Sequence, residues 1–175
     1  MHPLSHATTP EIRLVPVVEM EPWKYAGPDL ASSAGLGIVE DWPQYWMDCL
    51  AQSGIVGLEP ITPDSFHVPI CRLTDEHGLE QIFLNHCRST DDDGNAEYDF
   101  DPDNQIAFSG GHVLYIGEEA IFTPNCCGDL GNLEDWYAAA THRDSNKAGL
   151  WIGHPSLEVR FDGTHLLLSG ANLVP

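Results

Sequence analysis

Basic side chains are scarce in this 175-residue sequence, which has 7 Lys and Arg against 27 Asp and Glu. The formal net charge is therefore -20 at pH 7, and the isoelectric point is near 4.4. A surface with this charge repels phosphate backbones and anionic lipids. The composition disfavours direct binding to nucleic acid or to a membrane surface, and it favours basic proteins, cations and neutral small molecules as partners.

Long apolar runs are also missing, since no window approaches the roughly 18 residues that a membrane-spanning helix needs. The first ten residues contain no Lys or Arg, so they lack the start of a signal peptide, and we expect residues 1–10 to form a disordered tail. The five cysteines are Cys49, Cys71, Cys87, Cys126 and Cys127. Their odd number and the lack of a CxxC pair are typical of a reducing compartment. We therefore expect a cytoplasmic protein with one domain over residues 11–175.

The motifs of several enzyme classes are absent as well. The sequence contains no GxxxxGK[ST] phosphate loop, no GxSxG serine-hydrolase motif and no HExxH zinc motif. Gly35-Leu36-Gly37 lacks the third glycine and the preceding strand of a dinucleotide site. These absences predict that the protein has no cofactor and favour a binding protein over an enzyme.

Hydrophobic periodicity predicts two helices. The first follows Asp41, begins near Pro43 and stops at Gly54, and its stripe consists of Trp42, Tyr45, Trp46, Cys49 and Leu50. The second follows Asn132 at the cap position, and its stripe consists of Leu133, Trp136, Tyr137 and Ala140. We interpret the first stripe as core, because aromatic residues at helical spacing usually face the interior.

Strand-like segments make up most of the remaining chain. They are residues 11–20, 55–58, 65–73, 79–87, 105–108, 112–116, 120–123 and 150–152. Pro16 limits the first of them to an edge strand or to a strand broken at that point. This pattern, with the hairpin described next, predicts an α+β domain whose mainly antiparallel sheet has two helices packed on one side.

Residues 157–169 give the strongest hairpin signal, because Asp162-Gly163 suits a two-residue turn. Such a turn predicts the pairs Phe161 with Thr164, Arg160 with His165, Val159 with Leu166 and Leu157 with Leu168. Leu157, Val159, Phe161, Leu166 and Leu168 would then share the buried face. Glu158, Arg160 and His165 would share the exposed face.

Residues 89–104 contain seven acids and no base, and we expect them to form a loop. An EF-hand does not fit, because with Gly94 as the central glycine Ser89 takes position one and Phe100 takes position twelve. A looser calcium site and a plain solvated loop remain as alternatives.

A third interpretation makes this loop a binding surface for a basic protein. Between Arg88 and Arg143 the chain has twelve acids and no Lys or Arg. Clustered carboxylates with embedded aromatic residues are what an inhibitor needs to plug a cationic cleft, as in barstar-like and other nuclease-blocking immunity proteins. The likeness is one of charge and not of sequence. The predicted partner-binding residues are Asp91, Asp92, Asp93, Glu97, Tyr98, Asp99, Phe100, Asp101, Asp103, Glu118 and Glu119.

The leading hypothesis is therefore a non-enzymatic acidic protein that captures a basic protein, with an immunity protein that neutralises a toxin as its most specific form. The alternative is a metal- or cysteine-dependent enzyme that uses Cys126 or Cys127. A helix N-terminus can lower the pKa of a nearby thiol, but Asp129, Glu134 and Asp135 crowd the same end and oppose a thiolate. The candidate bases are His112, His154 and His165. A zinc site would have to combine distant residues, drawn from His86, Cys87, Cys126, Cys127, His142 and His154.

Overall fold

The largest sheet of the computed structural model has four antiparallel strands, which lie side by side in the order His67–Pro69, Ile12–Glu19, Gly110–Ile116 and Glu119–Phe122. The structure describes residues 10–27, 41–90, 95–101, 103 and 107–170. The strands of this sheet are β1 (Ile12–Glu19), β2 (His67–Pro69), β5 (Gly110–Ile116) and β6 (Glu119–Phe122). A two-stranded sheet pairs β3 (Arg88–Thr90) with β4 (Ala96–Tyr98), and a three-stranded sheet joins β7 (Ala148–Leu150), β8 (Leu157–Phe161) and β9 (Leu166–Ser169).

The described residues form three α-helices, α1 (Trp42–Gln52), α2 (Glu76–His86) and α3 (Leu133–Thr141). Short 3-10 turns lie at Pro22–Lys24, Ile70–Arg72 and Leu130–Asn132. The mixed helices and antiparallel sheets confirm the predicted α+β class. Within the described ranges, no helix has the length and apolar character needed to cross a bilayer.

The first predicted helix is confirmed as α1. The Asp41 side chain accepts a hydrogen bond from the Gln44 backbone N–H at 3.1 Å, and Pro43 lies in the first turn. The predicted stripe is largely core, since Tyr45, Trp46, Cys49 and Leu50 are buried. Trp46 also donates from Nε1 to the Met20 carbonyl at 2.8 Å, which fixes the helix against the chain that follows β1.

The strand-like interpretation of residues 79–87 is wrong, because they lie mostly in α2. The Asp75 side chain accepts from the Gly78 backbone N–H at 2.7 Å and caps the helix. Ile82 packs in the hydrophobic core, and the Cys87 N–H bonds the Phe83 carbonyl where the helix ends. Capping and the burial of one face outweigh the strand preference of Ile82 and Phe83.

Other predicted strands are shorter, shifted or absent. Residues 55–58 contain no strand, and within residues 65–73 only β2 is extended before the chain enters a 3-10 turn. The strand predicted at 150–152 lies two residues earlier, as β7. Of the segment 105–108, residues 107 and 108 are not in a strand, and the other two lie outside the described residues. Residues 1–9 and 28–40 also lie outside them.

β1 is an interior strand, although Pro16 predicted an edge strand or a break. β5 pairs with β1 over its length, from Ile12↔Ile116 to Val18↔Gly110. β2 pairs only with residues 17–19. Pro16 lies just outside this doubly paired stretch, so its missing N–H falls where β1 has only one neighbouring strand.

The segment predicted as an acidic loop is in part a hairpin. β3 and β4 pair antiparallel, with Arg88↔Tyr98, Ser89↔Glu97 and Thr90↔Ala96 as partners. Residues 91–94, which connect the two strands, lie outside the described residues. Polar strands can pair in this way because the ladder bonds come from the backbone, so a loop prediction from acidity alone failed.

The register predicted for the last hairpin is wrong by two residues. Phe161 pairs with Leu166 and Val159 with Leu168, so four residues form the connection. The Asp162 side chain accepts from the N–H groups of Thr164 and His165 at 2.9 and 2.7 Å, which stabilises this wider turn. Because a shift of two preserves the alternation, the predicted buried face is confirmed. His165, predicted opposite Arg160, lies in the turn.

In the described part of the chain, most of the buried hydrophobic side chains belong to two hydrophobic clusters. The first contains Val18, Met20, Tyr25, Trp46, Leu50, Ile55, Val68 and Ile82. The second contains Trp136, Ala139, Leu150, Ile152, Leu157 and Val159, with Leu14, Leu114 and Phe122 packed against it. The first cluster joins α1, α2 and the β1–β2 pair, and the second joins α3 to the three-stranded sheet.

Asn132 occupies the N-cap position of α3, as predicted, but its side chain makes no capping bond. Its amide is buried, and it donates from Nδ2 to the Trp151 carbonyl at 3.2 Å. Its Oδ1 lies 2.7 Å from His112 Nδ1. Because the Trp151 carbonyl can only accept, the amide oxygen faces His112, and Nδ1 of that ring carries the proton. The amide thus ties α3 to β5 and to the chain before β8.

Candidate functional site

The acidic segment places its carboxylates on an exposed hairpin beside α2. Glu97 lies on β4, and Asp99, Asp101 and Asp103 follow it, all of them exposed. The Asp99 side chain accepts from the Asp101 N–H at 2.9 Å, and the Asp101 side chain accepts from the Asp103 N–H at 3.0 Å. These local bonds turn the chain just after β4. The other predicted acids, Asp91, Asp92 and Asp93, lie outside the described residues.

Three stacked rings lie among these carboxylates. Phe83 of α2 stacks on Phe100 with ring centroids 6.1 Å apart, and Phe100 stacks on Tyr98 at 6.0 Å with the ring planes 3° apart. Phe83, Phe100 and Tyr98 are 47%, 56% and 48% exposed. We call these three side chains the aromatic row. Contiguous exposed apolar surface of this kind marks interaction sites in proteins.

Sequence reasoning found Tyr98 and Phe100 but missed the contribution of α2. Leu79, 45% exposed, precedes Phe83 by one helical turn and extends the apolar strip. A signal was present, because Asp75 is a good N-cap and Leu79, Ile82 and Phe83 follow it at helical spacing. Gly78, which lies between Asp75 and Leu79, obscured that helical pattern.

The charges around the aromatic row are almost all negative. Glu97, Asp99 and Asp101 alternate along the chain with Tyr98 and Phe100. The base in this hairpin is Arg88, which pairs with Tyr98 across the strands, and the sequence has no further Lys or Arg before Arg143. An approaching molecule therefore meets an apolar strip with a negative border.

Glu118 and Glu119 lie at the other end of β5 from this hairpin. Glu118 lies in the turn after β5 and Glu119 begins β6, and the Arg13 guanidinium lies 3.5 Å from the Glu118 carboxylate. The acidic hairpin instead adjoins the start of β5, where His86 stacks on Phe108 at 4.0 Å. The seven residues of β5 separate the two ends by roughly 20 Å. The structure thus does not bring these two glutamates together with Glu97 and the acids after it.

A separate group of side chains contains residues of the alternative hypothesis, a metal- or cysteine-dependent enzyme. Among the described residues, one group of three or more His, Cys, Asp or Glu side chains could share a metal ion, and it consists of Cys126, Cys127 and His154. One donor atom from each lies within 4.8 Å of the others, and all three residues are exposed. The structure therefore joins segments 28 residues apart in the sequence.

Two close backbone approaches hold this cluster. The His154 N–H donates to the Cys126 carbonyl at 2.9 Å, and the Asn125 N–H donates to the Ile152 carbonyl at 2.7 Å. At Gly153, with φ of +103°, an added Cβ would lie 2.5 Å from the carbonyl oxygens of Asn125 and Cys126. Gly128 is similarly crowded, since an added Cβ there would lie 2.6 Å from the Gly110 carbonyl oxygen. Only glycine permits the chain to pass at these distances.

The Cys126 thiol acts on its neighbour. Cys126 raises the pKa of the Cys127 thiol by charge repulsion, and loss of hydration, a hydrogen bond to Cys126 and the charge of Glu19 act in the same direction. A raised pKa reduces the thiolate fraction at neutral pH, so it weakens Cys127 as a free nucleophile. A cysteine- or metal-dependent activity stays a second prediction for this chain.

The other candidate histidines have separate roles in the structure. His112 is bound by Asn132 in the interior, and His86 stacks on Phe108 beside the buried Cys87. His142 Nε2 lies 2.9 Å from the Asn146 carbonyl, and His165 Nδ1 lies 3.6 Å from the Asp162 carboxylate. Of the histidines predicted as ligands or bases, His154 is the one that the described structure places with the two cysteines.

Comparisons of the chain with protein-family models, with curated proteins and with solved structures found no match.

Proposed function

We propose that this protein captures a basic protein partner with the aromatic row and the carboxylates that border it. Neutralisation of a toxin, the role of an immunity protein, is the most specific form of this proposal. The observation that supports it is the stack of three half-exposed rings inside a surface that carries almost only negative charge.

The aromatic row is suited to hold a complex because its rings already support each other. Tyr98 and Phe100 are two residues apart on one side of the hairpin, and Phe83 is fixed on a helix. Binding to rings that are already stacked restricts few further side-chain rotations, so less conformational entropy is lost. Aromatic side chains at the centre of an interface supply a large share of the binding free energy.

The carboxylates are suited to guide the encounter. A net charge of -20 attracts a basic protein over distances of about 8 Å at physiological salt and raises the association rate. Charges at the border of an interface act more on this rate than on the lifetime of the complex. The rings and the acids therefore have separable effects, which an experiment can distinguish.

The variant Tyr98→Ser/Phe100→Ser tests the rings at constant charge. We expect its affinity for the partner to fall at least about 30-fold, because two rings are lost and each central aromatic ring contributes more than about 1 kcal/mol. The immobilised full chain is incubated with native lysate at low salt and eluted by a salt step, and mass spectrometry identifies what is bound. The affinities of the wild type and the variant for the purified partner are then compared.

The control for charge keeps the rings. One variant carries Glu97→Gln, Asp99→Asn, Asp101→Asn and Asp103→Asn. A matched variant neutralises four exposed carboxylates elsewhere, through Glu59→Gln, Asp64→Asn, Glu134→Gln and Asp135→Asn. We expect the first to slow association and flatten its salt dependence more than the second. Recovery of the same basic proteins by the wild type and by the ring variant would mean unspecific charge attraction and would overturn the proposal.

A further inference from the structure

The cluster of Cys126, Cys127 and His154 supports an inference that does not depend on partner capture. Cys126 and Cys127 are adjacent in sequence, and successive side chains of an extended chain point to opposite faces. Cys127, however, has φ of +64°, a left-handed conformation that is uncommon for a residue other than glycine. This turn at Cys127 allows both thiols to lie in one cluster with His154.

The backbone keeps His154 next to the two thiols. Cys126 and His154 form an isolated antiparallel bridge, and the Cys126 thiol also lies 3.5 Å from the His154 carbonyl oxygen. Asn125 Nδ2 donates to the Pro155 carbonyl at 2.9 Å, which fastens the same two segments on the other side. The rings of Trp151 and His154 pack edge to face, with centroids 4.7 Å and ring planes 89° apart. The backbone that carries the three donors is thus braced, while the side chains themselves are exposed.

The separation of the donor atoms suits a tetrahedral metal ion. Bonds of about 2.3 Å to sulfur and 2.0 Å to nitrogen place the ligand atoms of such an ion roughly 3.5 to 3.8 Å apart. The atoms of the cluster lie within 4.8 Å of one another, and all three side chains are exposed. Small rotations of exposed side chains are enough to close that difference.

The donor set selects the kind of ion. Two thiolates and one imidazole favour zinc or another thiophilic ion over calcium and magnesium, which prefer oxygen. The negative charge of the chain also favours a cation at its surface. Three protein ligands leave one tetrahedral position open, as in zinc sites that bind water or a further donor.

We propose that Cys126, Cys127 and His154 form a binding site for one zinc ion with an open fourth coordination position. The site lies where the chain before α3 crosses the chain before β8, so the bound ion joins the two segments. Zinc bound there stabilises the folded protein, since the unfolded chain does not hold these three donors together.

The test uses the full chain, freed of metal and kept reduced, and cobalt(II) serves as the first probe. We expect one cobalt ion per chain to give the visible absorption of a tetrahedral site and the near-ultraviolet band of thiolate coordination. Zinc should displace it and raise the melting temperature. Cys127→Ser and His154→Asn should each weaken cobalt binding at least about 100-fold.

Cys71→Ser and His165→Asn are matched controls, because each changes an exposed residue of the same type outside the cluster. Both should bind cobalt like the wild type. Far-ultraviolet circular dichroism and melting without metal establish that each variant is folded, and Cys126→Ser replaces any variant that is not. Absence of a tetrahedral spectrum in the reduced wild type would overturn the proposal. Unchanged binding by folded His154→Asn would do so as well.

Discussion

Gly153→Ala is expected to lower the free energy of unfolding by about 4 kcal/mol, which is a large share of the stability of a domain. Two effects add at this position. The φ of +103° is strained for any residue with a Cβ, and the new atom would lie 2.5 Å from two carbonyl oxygens. Backbone strain of this kind costs about 1–3 kcal/mol, and overpacking a rigid site costs a similar amount. Denaturation in urea measures the loss.

Two other glycines separate these effects. Gly163 has φ of +98° with nothing within 4 Å of an added Cβ, so Gly163→Ala should show the strain alone, about 2 kcal/mol. Gly149 is exposed, does not have a left-handed φ, and its added Cβ also meets nothing within 4 Å, so Gly149→Ala should change stability by less than about 0.5 kcal/mol. If Gly153→Ala costs no more than Gly163→Ala, the close crossing of the two segments is not rigid.

The contribution of His67 to stability should also fall by up to about 3 kcal/mol as the pH is lowered from 6.5 to 4. Burial on β2 lowers the pKa of this histidine from 6.5 to about 4. The unfolded chain therefore takes up a proton in this pH range before the folded protein does, which favours unfolding. The contribution of His67 is fully present above pH 6.5, and it is lost as the pH falls toward 4.

The measurement is urea denaturation at a series of pH values for the wild type and His67→Gln. Burial raises the pKa of Glu19, the cross-strand partner of His67, and this group acts in the opposite direction, since its protonation favours the folded state. The difference between the two proteins isolates His67, because both retain Glu19. A constant difference from pH 7 to pH 4 would show that His67 titrates normally in the folded protein.

The sequence allowed prediction of those elements whose signals are local. α1 has an N-cap, a proline in its first turn, a buried stripe and a glycine stop, and all four signals indicate the same helix. α2 was missed because Gly78 interrupts its first turn and only one side of the helix is buried, so Ile82 and Phe83 looked like strand residues. Tertiary contacts decide such a segment, and no local pattern records them.

The last hairpin also combines a feature that the sequence predicts, the buried face, with one that it does not, the register. Alternating Leu157, Val159 and Phe161 predict which face is buried, and any register that is shifted by two residues keeps that face. The pairing itself depends on how the turn closes. Here the Asp162 carboxylate accepts two backbone N–H groups and holds a four-residue connection, a preference that the Asp-Gly pair alone does not reveal.

Both candidate sites depend on contacts that are distant in sequence. Tyr98 and Phe100 could be singled out by their acidic surroundings, but the stacking of Phe100 on Phe83 required knowledge of α2. Cys126 and Cys127 were recognised as a pair with several possible histidines. The choice of His154 follows from the approach of Gly153 to the Cys126 carbonyl, a contact between two loops for which the sequence shows only the glycines.

The exposed aromatic row also bears on how this protein behaves toward copies of itself. Two molecules that met row to row would cover their rings, but they would bring two sets of hairpin carboxylates together at the same time. Like-charge repulsion at -20 per chain therefore provides colloidal protection, and the strip remains open to molecules of opposite charge. That protection weakens in about 1 M salt, where screening acts within about 3 Å, and near pH 4.4, where the net charge vanishes. We expect self-association of the chain under those conditions.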